Sequence, residues 1–190
     1  PRPIPCPLPG TIQLTNSAIA VATLQLLKQQ GFKIADTALQ TGMAQTQWPG
    51  RLQWTTYGGQ SLLLDGAHNA AAAIALDHYV RSLNKPVTWV MGMLATKDHA
   101  AIFQALLQTQ DYLYLVPVPD HATADPQELA TLALATCPNL RRCSPYPDLW
   151  PALDGALAQP ERSIVLCGSL YLVGYFLKGA TVSVLIPETH

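Results

Sequence analysis

The sequence has 190 residues, of which 49% are hydrophobic and 12% are charged, and its formal net charge is −1. This length supplies one good-sized domain, or one domain and part of another, with ample apolar material for a core. A nearly neutral chain lacks the basic footprint of nucleic-acid-binding proteins, so we predict no nucleic-acid partner. Every apolar run is interrupted before the roughly 20 residues that a membrane span needs, so we also predict no membrane segment.

The cysteines indicate the compartment. None of the four belongs to a C-x-x-C pair, which favours free thiols in a reducing compartment over disulfides or a zinc site. Because the chain also lacks a signal-peptide pattern, we predict a cytoplasmic location. The chain begins with Pro1 and a proline-rich stretch, which we interpret as the start of a piece of a longer protein.

The first part of the chain is predicted to be helical after its extended, proline-rich start. Apolar residues spaced among alanines predict a helix over residues 16–30, with Asn16 or Ser17 as N-cap and Gly31 as terminator. A second, short helix is predicted over residues 37–43.

Strands and helices alternate from the Pro49-Gly50 turn onward. Predicted strands span residues 52–57, 61–65, 87–94, 112–116, 140–143 and 163–167, with a further edge strand at 182–186. Predicted helices span residues 69–83, 98–108, 125–136, 149–158 and 170–177. Helical crossovers of this length imply parallel pairing, whereas the Gly58-Gly59 turn indicates an antiparallel hairpin. The predicted fold class is therefore α/β, a doubly wound and mostly parallel sheet with an antiparallel edge.

The first candidate site follows the apolar run at residues 62–64, which ends in Asp-Gly-Ala-His-Asn at residues 65–69. Asp65 could accept hydrogen bonds from hydroxyls or hold a cation, and His68 would lie within reach of a phosphate or carboxylate. The alternative, which stays open, is structural: Asp-Gly is a common turn dipeptide, and Asn69 is a good helix cap.

Two more buried strands end in polar groups. Ser169 follows the strand at 163–167, where it either contributes to a ligand site or only caps the next helix. Lys97 follows the strand at 87–94, where it either neutralises a carboxylate or lies in a solvated loop. Carboxyl ends of parallel strands meet at one edge of the sheet, where ligands of such folds bind. The polar residues that follow these three strands therefore together predict a site. Arg51, on the preceding turn, supplies a cation that could swing over this edge.

Two phosphate-binding motifs are missing from the sequence. It contains neither a G-x-x-x-x-G-K-[ST] loop nor a G-x-G-x-x-G fingerprint. If the chain contacts ATP, another domain must supply the phosphate loop.

Four motifs, together with the spacing between them, resemble the C-terminal part of the folylpolyglutamate synthase and dihydrofolate synthase family of the Mur ligase superfamily. The similarity extends over about residues 8–178. The motifs are Trp-Pro-Gly-Arg-Leu at residues 48–52, Leu-Asp-Gly-Ala-His-Asn at 64–69, Gly-Met-Leu at 92–94 with Lys97-Asp98, and Gly-Ser-Leu-Tyr-Leu-Val-Gly at 168–174.

The resemblance implies a domain organisation and a reaction. Residues 1–46 would be the end of a central ATPase domain and a linker, and residues 47–190 a Rossmann-like C-terminal domain. Members of the family use ATP and Mg²⁺ to activate a carboxylate of folate or dihydropteroate as an acyl phosphate, which L-glutamate then attacks. The phosphate loop and the magnesium ligands would lie in the missing N-terminal part of that same ATPase domain, outside this chain, and the chain alone would be inactive.

The resemblance also implies roles for five residues. Asn16 would contact the adenine side of ATP, and Asp65 would bind the nucleotide from across the cleft. Arg51 would bind the phosphates and act in catalysis by stabilising charge on the transferred group. His68 would be the second catalytic residue, and together with Ser169 it would position the glutamate or the acyl phosphate.

Two other functions remain open. A cell-wall ligase of the same superfamily would add an amino acid to a UDP-sugar peptide, although the Gly-Ser-Leu-Tyr string favours the folate branch. A non-enzymatic α/β binding module is consistent with the low charge and the missing phosphate loop.

Overall fold

The computed structural model describes residues 3–180. The chain divides into two compact units, Pro1–Arg51 and Leu52–His190. Within the described residues, no helix is both long enough and apolar enough to cross a bilayer.

The N-terminal unit contains two helices, α1 (Thr11–Gln29) and α2 (Asp36–Ala44). The predicted start of the first helix at Asn16 or Ser17 is wrong, because the helix begins at Thr11. Gly10, with φ of 94°, turns the chain into α1 without any side-chain cap, a conformation that glycine adopts at little cost. Asn16 therefore lies inside the helix, where its Nδ2 donates to Gln13 Oε1 at 3.1 Å.

The C-terminal unit is a six-stranded sheet flanked by helices. Its strands are β1 (Gln53–Tyr57), β2 (Gln60–Leu64), β3 (Val87–Met91), β4 (Tyr112–Leu115), β5 (Arg142–Pro145) and β6 (Ser163–Cys167). Its helices are α3 (Ala70–Arg81), α4 (His99–Leu106), α5 (Pro126–Thr136), α6 (Leu149–Leu157) and α7 (Leu170–Gly179). The order is β1-β2-β6-β3-β4-β5, with β1 antiparallel to β2 and every other pair parallel. The predicted fold class is confirmed.

The helices cover both faces of this sheet. Side chains of α3, α4 and α5 pack with Leu63, Trp89 and Val165 in one apolar cluster, and side chains of α6 and α7 pack with Leu64 and Leu166 in another. Because successive side chains of a strand point to opposite faces, helices on both faces bury every residue of β3 and β6. Both strands are apolar apart from Thr88 and Ser163.

Three strand predictions need comment. Strand β5 runs over Arg142–Pro145 rather than 140–143, because the chain is still turning at Arg141, whose N–H donates to Asp111 O. Strand β3 ends at Met91 rather than residue 94, because Leu94 no longer pairs with β4 or β6 and instead forms an isolated bridge with Thr123. The predicted strand at 182–186 lies outside the described residues.

Candidate active site at the carboxyl edge of the sheet

Three neighbouring parallel strands, β2, β6 and β3, end at the same edge of the sheet, as the sequence predicted. The loops that follow β6 and β3 lie unusually close together. A Cβ atom added to Gly168 would lie only 2.6 Å from the carbonyl oxygen of Gly92, and Gly168 has φ of 98°. Only glycine fits at this position, because the backbones of the two loops are in direct contact there.

Asp65, the first residue after β2, shapes the backbone around it. Its Oδ2 accepts a hydrogen bond from Leu52 N at 2.9 Å, and its Oδ1 accepts one from Ala67 N at 2.8 Å. The residue is only 7% exposed. Both oxygens therefore bind backbone N–H groups, and the carboxylate joins the start of β1 to the loop at residues 65–69.

The chain at Arg51 bends twice. Gly50 has φ of 75°, and Leu52 has φ of 44°, a region that side chains other than glycine seldom adopt. The Arg51 guanidinium lies over the Trp48 ring, 5.7 Å from its centroid. No carboxylate between residues 3 and 180 pairs with Arg51. No ion pair within this part of the chain therefore neutralises the Arg51 charge, and its role toward a ligand stays a prediction.

His68 is half-buried in the loop between β2 and α3, and its ring is held by the backbone. The ring Nδ1 lies 2.8 Å from Gly66 O. Because a carbonyl oxygen can only accept, Nδ1 carries the proton, and Nε2 is an acceptor in the neutral ring. Nε2 has no hydrogen-bond partner in the part of the chain that the structure describes. Asn69 caps α3, since its Oδ1 accepts from Ala72 N at 2.9 Å.

Ser169 follows β6 and caps α7. Its Oγ accepts from Tyr171 N at 3.1 Å, and the residue is only 3% exposed. The capping alternative is therefore observed, while a role of Ser169 in substrate binding stays a prediction.

Sequence reasoning missed an aromatic pair at the same edge. Tyr171, which is 55% exposed, stacks on His121, with ring centroids 3.7 Å apart and an angle of 29°. His121 lies in the loop after β4. Sequence spacing cannot reveal such a pair, because its members lie in distant segments that only the sheet topology brings together.

The loop after β3 is tied to the loop after β4. Leu94 forms an isolated antiparallel bridge with Thr123, and Ala95 N donates to Ala122 O. Asp98 caps α4 by accepting from Ala101 N at 3.1 Å. Lys97 therefore lies in a loop that pairs with a neighbouring segment and whose residues Ala95 and Thr96 are exposed.

Two further observations concern ionisable groups. Burial raises the pKa of the Cys167 thiol well above its ordinary value, and the nearby Asp65 carboxylate raises it further. That thiol remains protonated at neutral pH and is a poor nucleophile. Among residues 3–180, no cluster of three or more histidine, cysteine or acidic side chains could hold a metal ion.

The five predicted site residues divide between the two units. Asp65 and His68 share one loop, and Ser169 follows the strand adjacent to theirs. Asn16 and Arg51 belong to the N-terminal unit.

We expect Asp65→Ala to lower the free energy of unfolding by about 2–3 kcal/mol, because two buried backbone N–H groups lose their acceptor. Urea unfolding of the chain measures this. Asp65→Asn, the matched control, keeps one oxygen acceptor and should lose less. If Asp65→Ala costs less than about 0.5 kcal/mol, the carboxylate does not hold the loop.

Comparison with known proteins adds independent information. The sequence model of the family described as "Dihydrofolate synthetase, C-terminal domain" matches residues 51–179. The dihydrofolate synthetase of Saccharomyces cerevisiae is 31% identical in an alignment that covers 90% of this chain and 44% of the yeast protein.

Solved structures agree with these sequence matches. Folylpolyglutamate synthase of Mycobacterium tuberculosis, solved with ADP and AMPPCP, superposes with a TM-score of 0.73 at 26% identity, covering 95% of this chain and 43% of that one. The bifunctional folylpolyglutamate synthase/dihydrofolate synthase of Yersinia pestis, solved with AMPPNP and a Mn ion, gives 0.70 at 25% identity, covering 92% and 40%. The chain thus spans less than half the length of these relatives, and it belongs to the family of the dihydrofolate synthetase C-terminal domain.

Proposed function

We propose that this chain is the C-terminal domain of an ATP-dependent ligase that joins the amino group of L-glutamate to a carboxyl group of folate or dihydropteroate. The observation that carries the proposal is the edge where β2, β6 and β3 end, with the His68 ring fixed in its loop. Family membership supports the reaction class. The N-terminal unit would be the end of the central ATPase domain and a linker, and the rest of that domain would be the chain's principal partner.

We infer that the ligase uses ATP and Mg²⁺, since relatives were solved with adenine nucleotides and one of them with Mn. The residues present suit the phosphates of a nucleotide: Arg51 is a cation without a carboxylate partner among residues 3–180, and α3 presents its N-terminal amides beside His68. When bound, the nucleotide would supply the phosphoryl group that activates the folate carboxylate. The magnesium ligands would come from the central domain.

Each site residue then has a defined task. Arg51 would stabilise negative charge that develops during transfer, and Asn16 would contact the adenine side of the nucleotide. His68, with Nδ1–H donating to Gly66 O, would present Nε2 as an acceptor to the glutamate ammonium group. Asp65 would act as a positioning residue, because its oxygens bind the backbone on either side of the site. Ser169 would hold the start of α7 toward the substrate.

The test compares substrates in the complete ligase that this proposal requires. We expect ADP release that depends on both L-glutamate and either folate or dihydropteroate, with omission of either substrate as control. Release with a UDP-sugar peptide instead would identify a cell-wall ligase. No nucleotide turnover with any of these acceptors would favour a binding module. Fractionation that places the protein in the cytoplasm would support the location inferred from its free thiols.

A further inference from the structure

The opposite, amino-terminal edge of the sheet carries a cavity of about 380 Å³. It lies where β2, β6 and β3 begin, so the length of the strands, roughly 15 Å, separates it from the candidate active site. A cavity of this size falls within the range of small-ligand sites. The residues that line it include Trp54, Gln60, Ser61, Lys85, Arg162 and Ser163.

Arg162 is a buried cation that binds only uncharged partners. It is 7% exposed. Its Nε donates to Thr88 Oγ1 at 3.1 Å, and its Nη2 donates to Val87 O at 2.6 Å and to Gln110 O at 2.8 Å. Its guanidinium carbon lies 4.0 Å from the centroid of the Tyr112 ring. These contacts orient the guanidinium, but none of them neutralises its charge.

The remaining guanidinium nitrogen, Nη1, makes none of these contacts. It has no hydrogen-bond partner among residues 3–180. Nη1 is also not fully buried. Among residues 3–180, the Tyr114 hydroxyl is the one side-chain polar atom that is both fully buried and without a partner. The Nη1 N–H groups therefore reach solvent, and the cavity lined by Arg162 is the adjacent space.

The charges around the cavity are of one sign. Lys85 and Arg162 line it, and no carboxylate does among the described residues. Burial lowers the pKa of Arg162, while Tyr112, Asp111 and Glu161 raise it in part. The Asp111 carboxylate is already bound by Arg81, and Glu161 is exposed. An anion in the cavity would therefore meet two cations and no competing acid.

We propose that this cavity is a second binding site, one that takes a phosphate group. Arg162 offers directed N–H donors from Nη1, Lys85 offers a mobile point charge, and the hydroxyls of Ser61 and Ser163 offer further donors. A doubly charged tetrahedral anion accepts from several directions, which suits donors that come from three separate segments. The half-buried Trp54 ring forms an apolar wall against which the organic part of a phosphate ester can pack.

The test is a titration of the ¹⁵N-labelled 190-residue chain at constant ionic strength, with inorganic phosphate and phenyl phosphate as separate probes. We expect saturable shifts of the Ser61, Lys85 and Ser163 amides. Lys85→Gln should weaken phosphate binding about tenfold, since one charged donor is lost. Tighter binding of phenyl phosphate would identify an ester as the ligand class, and equal binding would identify free phosphate.

Matched variants keep the result decisive. Lys33→Gln makes the same charge change in the N-terminal unit and should leave binding unchanged. Arg162→Gln risks unfolding because it removes three structural hydrogen bonds, so Lys85→Gln and Ser61→Ala carry the test. The proposal is overturned if the amide shifts do not saturate, if they occur only at Gly66 and His68, or if acetate binds as tightly as phosphate.

Discussion

In the complete ligase, Arg51→Ala is expected to lower glutamate-dependent turnover about 10²–10³-fold, the loss typical of one group that stabilises charge in the transition state. Two observations support this expectation. The guanidinium pairs with no carboxylate among residues 3–180, so its charge is available to a substrate phosphate. The backbone of Leu52, which directly follows Arg51, has a strained φ of 44° and is held by Asp65. Such strain is typical of segments that position a functional residue. Steady-state ADP release measures the effect.

Two variants separate catalysis from folding. Arg141→Ala removes an exposed arginine ahead of β5 and should leave turnover within twofold. Arg51→Lys keeps the charge but loses the planar fork of donors, so it should recover only part of the rate. Unchanged turnover in Arg51→Ala, with the same circular dichroism as wild type, would mean that the arginine only packs on Trp48.

The second large effect concerns stability. We expect Asp111→Ala to lower the free energy of unfolding by about 3–5 kcal/mol, the usual cost of removing one partner of a buried ion pair. Asp111 is 2% exposed, and its carboxylate accepts from both terminal nitrogens of Arg81, at 2.9 and 2.6 Å. It also accepts from Trp89 Nε1 at 2.9 Å and from Gln108 N at 3.1 Å. Urea unfolding followed by tryptophan fluorescence measures the loss.

The partner arginine shows why this loss is large. Burial by itself would lower the pKa of Arg81, but Asp111 and then Asp77 outweigh it, so the pKa is raised. Without Asp111 the half-buried guanidinium keeps its desolvation cost and loses its main compensation. Glu128→Ala, on the exposed side of α5, is the control and should change stability by less than about 1 kcal/mol. If Asp111→Ala and Glu128→Ala lower the free energy of unfolding by similarly small amounts, the Arg81–Asp111 pair is well solvated and the argument from burial fails.

Much of the fold follows from short-range chemistry. Strand β6 has the predicted bounds, 163–167, because a continuous apolar run ends abruptly at glycine and serine. Helix α5, predicted over residues 125–136, starts at Pro126, whose missing N–H has no consequence in a first turn. The start of α1 was misplaced because Gly10 initiates that helix through its backbone, and no polar cap residue marks the position.

Some features of the candidate site can likewise be recognised in the sequence, and others cannot. The loop at residues 65–69 is recognisable because a turn dipeptide, a histidine and a capping asparagine follow one another directly after a strand. The local caps at Asn69 and Ser169 are recognisable for the same reason. The hydrogen bonds of the Asp65 carboxylate were not recognisable from the sequence, because one of its partners, Leu52 N, precedes it by an entire hairpin.

Residue order and side-chain type were thus sufficient to predict the fold class, most element positions, the polar residues at the ends of the strands and the family. They suffice because turns, caps and apolar periodicity act over a few neighbouring residues. The stacking of His121 on Tyr171, the commitment of Asp65 to backbone amides and the open nitrogen of Arg162 depend instead on which strands lie side by side. Sheet order results from packing the whole core at once, and no local pattern encodes it.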